Sequence, residues 1–218
     1  MPASPELYLA VIGDLVASKA IRDRAAFQAK LRRKLAELSS SESVLSPFTL
    51  TLGDQFQALF QSGRGLFQSL FEIRALLHPV ACRFALSVGQ LSTAVNREQA
   101  IGMDGPVFHS ARQGIEQLKK TGDGFVLSGL SRPMRALVDP AARLLWAGTD
   151  SWNANRLEIM ARLLTGQTEK EMAKALAISE RAVYKNIHDA RLDEWTRLIE
   201  SVEARLTLLL KPDPPAPC

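Results

Sequence analysis

The chain has 218 residues, of which 46% are hydrophobic and 23% are charged, and its formal net charge at pH 7 is +4. This composition is typical of one large or two small globular domains, and it excludes collagen-like, coiled-coil and wholly disordered chains. The sequence has neither an apolar run of about 20 residues nor a signal peptide, so it predicts a cytoplasmic protein with no membrane partner. Cys82 and Cys218 support neither a disulfide framework nor a cysteine metal site.

The first part of the chain alternates strand-like and helix-like stretches. Apolar runs, period-two alternation and helical spacing predict, in chain order, a strand over 7–12, a helix over 21–38, strands over 48–52 and 56–60, a helix over 66–77, a strand near 84–88, a helix over 106–119 and a strand over 124–128. This order predicts an α+β fold, a ferredoxin-type sandwich in which helices pack on a mostly antiparallel sheet.

A change of composition divides the chain near residue 150. Residues 153–211 contain no proline and a single glycine, Gly166, among strongly helical residues. We therefore predict an α+β domain over 1–146, a polar hinge over 147–152, an all-α domain over 153–211, and a disordered tail over 212–218, where prolines prevent a helix.

Two aspartates lie where metal ligands would be expected. Asp14 ends the first strand, and Asp54 lies in the turn between the second and third strands. Neighbouring central strands would bring both carboxylates to one edge of the sheet, where paired carboxylates suit Mg²⁺. The alternative is purely structural, because Asp is common in such turns and Asp14 could cap a following helical turn.

The residues around these aspartates resemble the class III nucleotide cyclase domain and, more distantly, the GGDEF diguanylate cyclases. The resemblance extends over roughly residues 7–130. It is carried by 14–18, 53–56, 83–89, 102–105 and 110–112, with 126–128.

The cyclase resemblance implies specific roles for individual residues. Asp14 and Asp54 would bind metal, Arg112 would stabilise developing charge, and the phosphates of a nucleotide would contact Ser18, Lys19 and Arg24.

The sequence also departs from the cyclase pattern. Leu50 stands where adenylyl cyclases use a purine-reading lysine, and Phe108 replaces an asparagine four residues before Arg112. The resemblance therefore favours a domain that senses a nucleotide or a metal. A Mg²⁺-dependent nucleotidyl-transfer enzyme is the alternative.

The chain as a whole is similar to the SatD family of bacterial proteins. The matching stretches are 11–19 together with Asp23 and Arg24, then 49–60, then 101–112.

The second part of the chain carries the pattern of two short helices joined by a tight turn. Thr168 and Glu171 form a capping box before the first of them, and Ser179 caps the next. This arrangement is typical of a helix-turn-helix, and residues 168–173 and 178–183 resemble LuxR-type and sigma-factor region-four modules.

One face of the second short helix predicts contact with DNA. Spacing places Arg181, Tyr184, Lys185 and His188 together on the exposed side, from which Arg or Lys could reach guanine or phosphate in a major groove. The alternative is a helical packing module with solvated basic residues, since residues 153–211 hold ten basic and nine acidic side chains.

The last helix carries an apolar seam with heptad spacing. It pairs with a second subunit in a homodimer or folds back along its own chain, and its residues are Leu192, Trp195, Ile199, Val202, Leu206 and Leu209.

The leading hypothesis is a cytoplasmic DNA-binding regulator, with a cyclase-like domain that senses a nucleotide or metal. The rival hypotheses are the Mg²⁺-dependent enzyme and a protein whose two domains are interaction surfaces.

Overall fold

A computed structural model of the protein describes residues 6–16, 23–51 and 54–211. Its elements are β1 Tyr8–Leu15, α1 Arg24–Leu38, β2 Val44–Leu50, β3 Gln55–Phe60, α2 Leu66–Leu77, β4 Cys82–Gly89, α3 Pro106–Thr121, β5 Phe125–Ser128, α4 Arg132–Ala147, α5 Ala154–Leu163, α6 Glu169–Leu176, α7 Glu180–Ala190 and α8 Leu192–Leu210. The predicted mixed α+β class is confirmed, and the proline-rich tail lies outside the described residues.

The five strands form one sheet in the order β2-β3-β1-β4-β5. The pairs β1–β3, β1–β4 and β2–β3 are antiparallel, and β4–β5 is parallel, so the sheet is mostly antiparallel as predicted. β1 lies at the centre, where both of its faces are covered. This position explains why its sequence is almost continuously apolar rather than alternating.

Alternate residues of β1 face two separate hydrophobic clusters. Leu9 and Val11 belong to the larger cluster, with buried residues of α1, α2 and α4. Ala10 and Ile12 belong to a smaller cluster with α3. The period-two alternation of strand side chains therefore places α3 on one face of the sheet and the other helices of this part on the opposite face.

The larger cluster continues across the predicted domain boundary. Trp146, at the end of α4, is 3% exposed and packs with Phe71, Phe84 and Phe125 at centroid distances of 6.0, 5.1 and 5.5 Å. The same cluster includes buried residues of α5, α6, α7 and α8. The sheet and the C-terminal helices thus share one apolar core.

The predicted hinge over residues 147–152 is packed against α2. Thr149 and Trp152 are buried. Arg74 of α2 donates to the hydroxyl and carbonyl oxygens of Thr149 and to the Asp150 carboxylate, and its guanidinium lies 4.8 Å from the Trp146 ring centroid. Burial lowers the pKa of Arg74 from its ordinary value, although Asp150 opposes that effect. This segment is therefore fixed at several points.

The seam of α8 folds back along its own chain. Its buried side chains Leu192, Ile199, Val202 and Leu206 join the larger cluster, with Trp195 and Leu209 partly buried against it. The prediction that this seam pairs with a second subunit is corrected here, because those apolar groups are already removed from water by α2, α4 and α5. A homodimer stays a prediction and would need another surface.

The carboxylate of Glu203 joins α8 to the start of α2. It accepts hydrogen bonds from the backbone N–H groups of Gly65 at 3.0 Å and Phe67 at 2.8 Å. The N-cap residue Gly65 has no side chain to do this, so a residue of another helix satisfies the free N–H groups. The backbone of α8 comes so close that a Cβ on Gly63 would lie 2.5 Å from the Glu203 carbonyl oxygen.

Along the described ranges, with their gaps at 17–22 and 52–53, no helix is both long and apolar enough to cross a membrane.

Candidate functional site

Asp14 lies at the end of β1 on the face of the sheet that α3 covers. In the register of the sheet it is opposite Gln55 of β3 and Arg83 of β4. The amide nitrogen of Gln55 donates to Oδ1 at 2.8 Å, and a guanidinium nitrogen of Arg83 lies 3.2 Å from Oδ2. Lys119 of α3 is 3.8 Å from Oδ1. The residue is 7% exposed, so this carboxylate is a buried anion surrounded by donors.

Asp54 lies beside Asp14 along the sheet but contacts a different helix. Its carbonyl accepts a hydrogen bond from the N–H of Leu15, which places it next to the end of β1. Its carboxylate is 2.8 Å from Arg24, the first residue of α1. The recorded cations beside the two aspartates, Arg24 for Asp54 and Lys119 for Asp14, therefore belong to helices that pack on opposite faces of the sheet.

The arrangement of these partners does not fit one divalent ion shared by both aspartates. A Mg²⁺ ion requires oxygen ligands at about 2.1 Å in near-octahedral geometry. Both oxygens of Asp14 instead have nitrogen partners, and two of those partners are cations. Within the described residues there is also no group of three or more His, Cys, Asp and Glu side chains that could hold a metal. The predicted shared Mg²⁺ ion is left without support from these contacts.

The other residues implied by the cyclase resemblance are only partly within the structure. Ser18 and Lys19, the predicted phosphate contacts, lie outside the described residues, as does Gly53 of the predicted turn. Arg24 is engaged by Asp54. Arg112 lies on the exposed side of α3, with its guanidinium 5.9 Å from the ring centroid of the buried Phe108. No recorded contact joins Arg112 to Asp14.

The α6–α7 segment has well-formed helix ends. The Thr168 side chain accepts from the N–H of Glu171 while the Glu171 carboxylate accepts from the N–H of Thr168, so the predicted capping box is present. These hydrogen bonds lower the pKa of Glu171. Ala177 ends α6 with a left-handed backbone, φ 54°, and the Ser179 side chain caps α7. The connection between the two helices is therefore short and defined.

Removal of the Thr168 cap should destabilise the protein. Thr168→Ala leaves the N–H of Glu171 without its side-chain acceptor, and we expect a loss of about 1 kcal/mol in the free energy of unfolding. Chemical denaturation followed by circular dichroism measures it. Lys170→Ala is the control, because Lys170 is an exposed residue of the same helix that makes no recorded hydrogen bond or ion pair, and it should change stability by less than about 0.5 kcal/mol. Equal losses in the two variants would contradict the capping role.

One side of α7 is buried and the other is open to solvent. Val183 and Ile187 are buried in the larger cluster. The predicted DNA-contacting residues occupy the outer side, where Tyr184 is 55% exposed and its ring stacks on His188 at 5.8 Å. All four predicted residues, Arg181, Tyr184, Lys185 and His188, are exposed, and the exposed Asp189 carboxylate lies 3.6 Å from Nδ1 of His188.

A contact absent from the sequence interpretation holds α7 against α5. Arg156 of α5 donates to the Asn186 side-chain oxygen at 3.2 Å, and the Asn186 amide donates to the carbonyl of Ala182 at 2.9 Å. Asn186 is therefore used to orient the helix rather than to face outward. The available sequence signal was its spacing, because Asn186 follows Val183 by three residues and directly precedes Ile187, beside the apolar side of the helix.

The comparison with known protein families decides what kind of chain this is. The model of the SatD family matches residues 8–198, which span the sheet, the Asp14 contacts and the C-terminal helices up to the first part of α8. The chain belongs to the SatD family. This match confirms the resemblance found in the sequence.

Solved structures offer a more distant similarity to this SatD-family chain. One structure of a bacterial light-regulated adenylyl cyclase matches with a TM-score of 0.43 and 14% identity, covering 56% of this chain and 75% of that one. A second structure with the same description has a TM-score of 0.42 and 14% identity, covering 58% of this chain and 44% of that one. No curated protein matches significantly.

The residues that sequence reasoning missed at Asp14 are its partners. Gln55, Arg83 and Lys119 lie on three different elements of this SatD-family protein. A charged residue at position 83, in an otherwise apolar strand, was the signal that something had to neutralise it. The identity of its partner depends on strand register, which a single sequence does not give.

Proposed function

We propose that this SatD-family protein is a DNA-binding regulator whose α6–α7 segment acts as a helix-turn-helix. The observation that carries the proposal is the two-sided character of α7. Its inner side is anchored by Val183 and Ile187, while two cationic and two aromatic or imidazole side chains project outward. A helix held in this way can enter a major groove without unfolding its own core.

The charge distribution fits a local contact better than a broad electrostatic one. Residues 153–211 are nearly balanced, with ten basic and nine acidic side chains. Affinity would therefore come from a few close phosphate and base contacts on the outer side of α7. Arg181 is suited to bidentate contact with guanine and Lys185 to phosphate.

The Asn186–Arg156 contact supports the same function. Because Arg156 belongs to α5, its bond to Asn186 fixes the rotation of α7 about its own axis. The outward direction of Arg181 and Lys185 then depends on the packed core rather than on DNA. Such preorganisation reduces the entropy lost on binding.

Within this proposal, the sheet-bearing part would sense a phosphate-bearing ligand. Of the three predicted phosphate contacts, Arg24 is the one that lies within the described residues. Its side chain is 47% exposed beside Asp54, so such a ligand could reach it. No contact among the described residues favours the alternative of Mg²⁺-dependent nucleotidyl transfer, so we do not propose it.

The double variant Arg181→Ala/Lys185→Ala tests the proposal. The full chain is titrated into a fluorescent 30-base-pair duplex of mixed sequence at several salt concentrations, and anisotropy gives the dissociation constant. We expect affinity at low salt to fall about tenfold or more. The slope of log affinity against log salt should become shallower by about 0.9, because the phosphate contact of Lys185 is lost.

A matched variant separates a local contact from a general loss of charge. Lys120→Ala/Arg135→Ala removes the same two charges from exposed positions on α3 and α4. This control should bind the duplex within about twofold of the unmodified protein. Equal affinity in the Arg181→Ala/Lys185→Ala variant and the unmodified protein would exclude α7 as the DNA-contacting helix.

A further inference from the structure

Among the described residues, four charged side chains form a network at the end of β1. Asp14 and Glu116 are the anions, and Arg83 and Lys119 are the cations. Lys119 lies 2.9 Å from Glu116 and 3.8 Å from Asp14, and Arg83 lies 3.2 Å from Asp14. These four groups sum to zero charge.

We infer that Arg83 and Lys119 take the place of a divalent cation at Asp14, so that this end of the sheet does not take up Mg²⁺. The inference is independent of DNA binding by α7. It concerns what neutralises the aspartate that, by the cyclase resemblance, would be a metal ligand.

Burial makes this neutralisation necessary. Asp14 is 7% exposed, and an ionised carboxylate removed from water is strongly destabilising unless it is paired and hydrogen-bonded. Each oxygen has a partner, since Oδ1 accepts from Gln55 and Oδ2 is paired with Arg83. The protein thus gives this carboxylate the positive charge and the hydrogen bonds that a metal ion and its waters would otherwise supply.

The fold fixes these partners in place. Strand register puts Gln55 on one side of Asp14 and Arg83 on the other. The last turn of α3 brings Lys119, which Glu116 holds from the preceding turn. The hydrogen bond with Glu116 raises the pKa of Lys119, so Lys119 stays charged at neutral pH.

A divalent ion would have to displace these cations. Mg²⁺ at Asp14 would lie within a few ångströms of a guanidinium and an ammonium group, and like charges at that distance repel strongly in a partly buried site. Glu116 is itself paired with Lys119, and Asp54 is paired with Arg24 of α1.

Titration of the full chain with Mn²⁺, followed by electron paramagnetic resonance of the free ion, tests the inference. Any Mn²⁺ binding by the unmodified protein should be unchanged in Asp14→Asn, because the Asp14 carboxylate does not bind the ion. The variant Arg83→Gln/Lys119→Gln leaves the buried carboxylate without its cations, and its Mn²⁺ affinity should rise at least about tenfold. Adding Asp14→Asn to that variant should remove the gain.

Thermal unfolding gives a second readout that needs no activity. MgCl₂ should raise the Tm of Arg83→Gln/Lys119→Gln above its value in NaCl of equal ionic strength, and should leave the Tm of the unmodified protein unchanged. If the double variant fails to fold, Lys119→Gln alone serves, because Lys119 is the more exposed of the two cations.

Two results would overturn the inference. One is Mn²⁺ binding by the unmodified protein that disappears in Asp14→Asn. The other is no gain of Mn²⁺ affinity in a folded variant lacking one or both cations.

Discussion

Trp146→Ala should destabilise the protein by about 3–5 kcal/mol, the range typical of truncating a buried tryptophan. Trp146 is 3% exposed and packs with three phenylalanines, one from α2, one from β4 and one from β5. It also lies under the Arg74 guanidinium, so its removal would loosen the contact that fixes Thr149 and Asp150. The cavity left behind would border the sheet and α2 at once.

Urea denaturation at pH 7 measures this loss. Leu144→Ala is the matched control, because Leu144 is on the same helix but is 73% exposed. It should change the free energy of unfolding by less than about 0.5 kcal/mol. A loss below about 1 kcal/mol for Trp146→Ala would mean that Trp146 does not anchor α4 to the sheet and α2.

Glu203→Gln should remove a pH dependence of stability that the unmodified protein has. Burial raises the pKa of Glu203 from its ordinary value of 4.5 to about 7, although the N–H groups of Phe67 and Gly65 act in the opposite direction. An acid with a raised pKa binds its proton more tightly in the folded state than in the unfolded chain. Its contribution to stability is therefore complete below about pH 4.5 and is lost as the pH rises through about 7.

The size of this effect follows from linkage. A single proton changes stability by at most about 1.4 kcal/mol per pH unit, so Glu203 accounts for roughly 3 kcal/mol at most between these limits. Urea denaturation of the unmodified protein at pH 5, 6, 7 and 8 should give a falling free energy of unfolding. The Glu203→Gln variant keeps an oxygen acceptor for the start of α2 and should give a flatter profile.

Glu194→Gln provides the control for Glu203. Glu194 lies on the same helix, but its side chain is 62% exposed and paired with Arg197. Its profile should follow that of the unmodified protein. If Glu203→Gln has the same slope as the unmodified protein between pH 5 and 8, the proton uptake belongs to another group.

Local signals in the sequence were enough to place most elements. The predicted helix over 66–77 has the bounds of α2, because its apolar spacing begins after a glycine and ends before Pro79. The capping box at Thr168 located the start of α6. These features act within a few residues, so a single sequence contains them.

Helix α4 was missed, and Pro140 is the reason. A proline inside a helix removes one backbone N–H and is a strong signal against helix. Here the helix continues through it, with Val138, Ala142 and Leu145 buried on one side. Packing of that side onto β5 and α8 outweighs the local cost.

The positions of the aspartates could be predicted, but their partners could not. Asp14 lies near the end of β1 and Asp54 directly precedes β3, close to where the strand pattern placed them. Whether Asp14 faces a metal or a cation depends on which residue of β4 lies opposite it and on where α3 crosses the sheet. Both are long-range properties of the fold, and the same is true of the surface that the α8 seam covers.

The return of α8 to the beginning of α2 has a practical consequence for any attempt to study the two parts separately. A fragment ending at residue 146 would expose apolar side chains that α5 and α8 now cover, and it would leave the amides of Gly65 and Phe67 without the acceptor that Glu203 provides. A fragment starting at residue 153 would keep the buried Glu203 carboxylate but lose the N–H groups of Gly65 and Phe67 that donate to it. Ligand and DNA measurements on this protein should accordingly be made with the undivided chain.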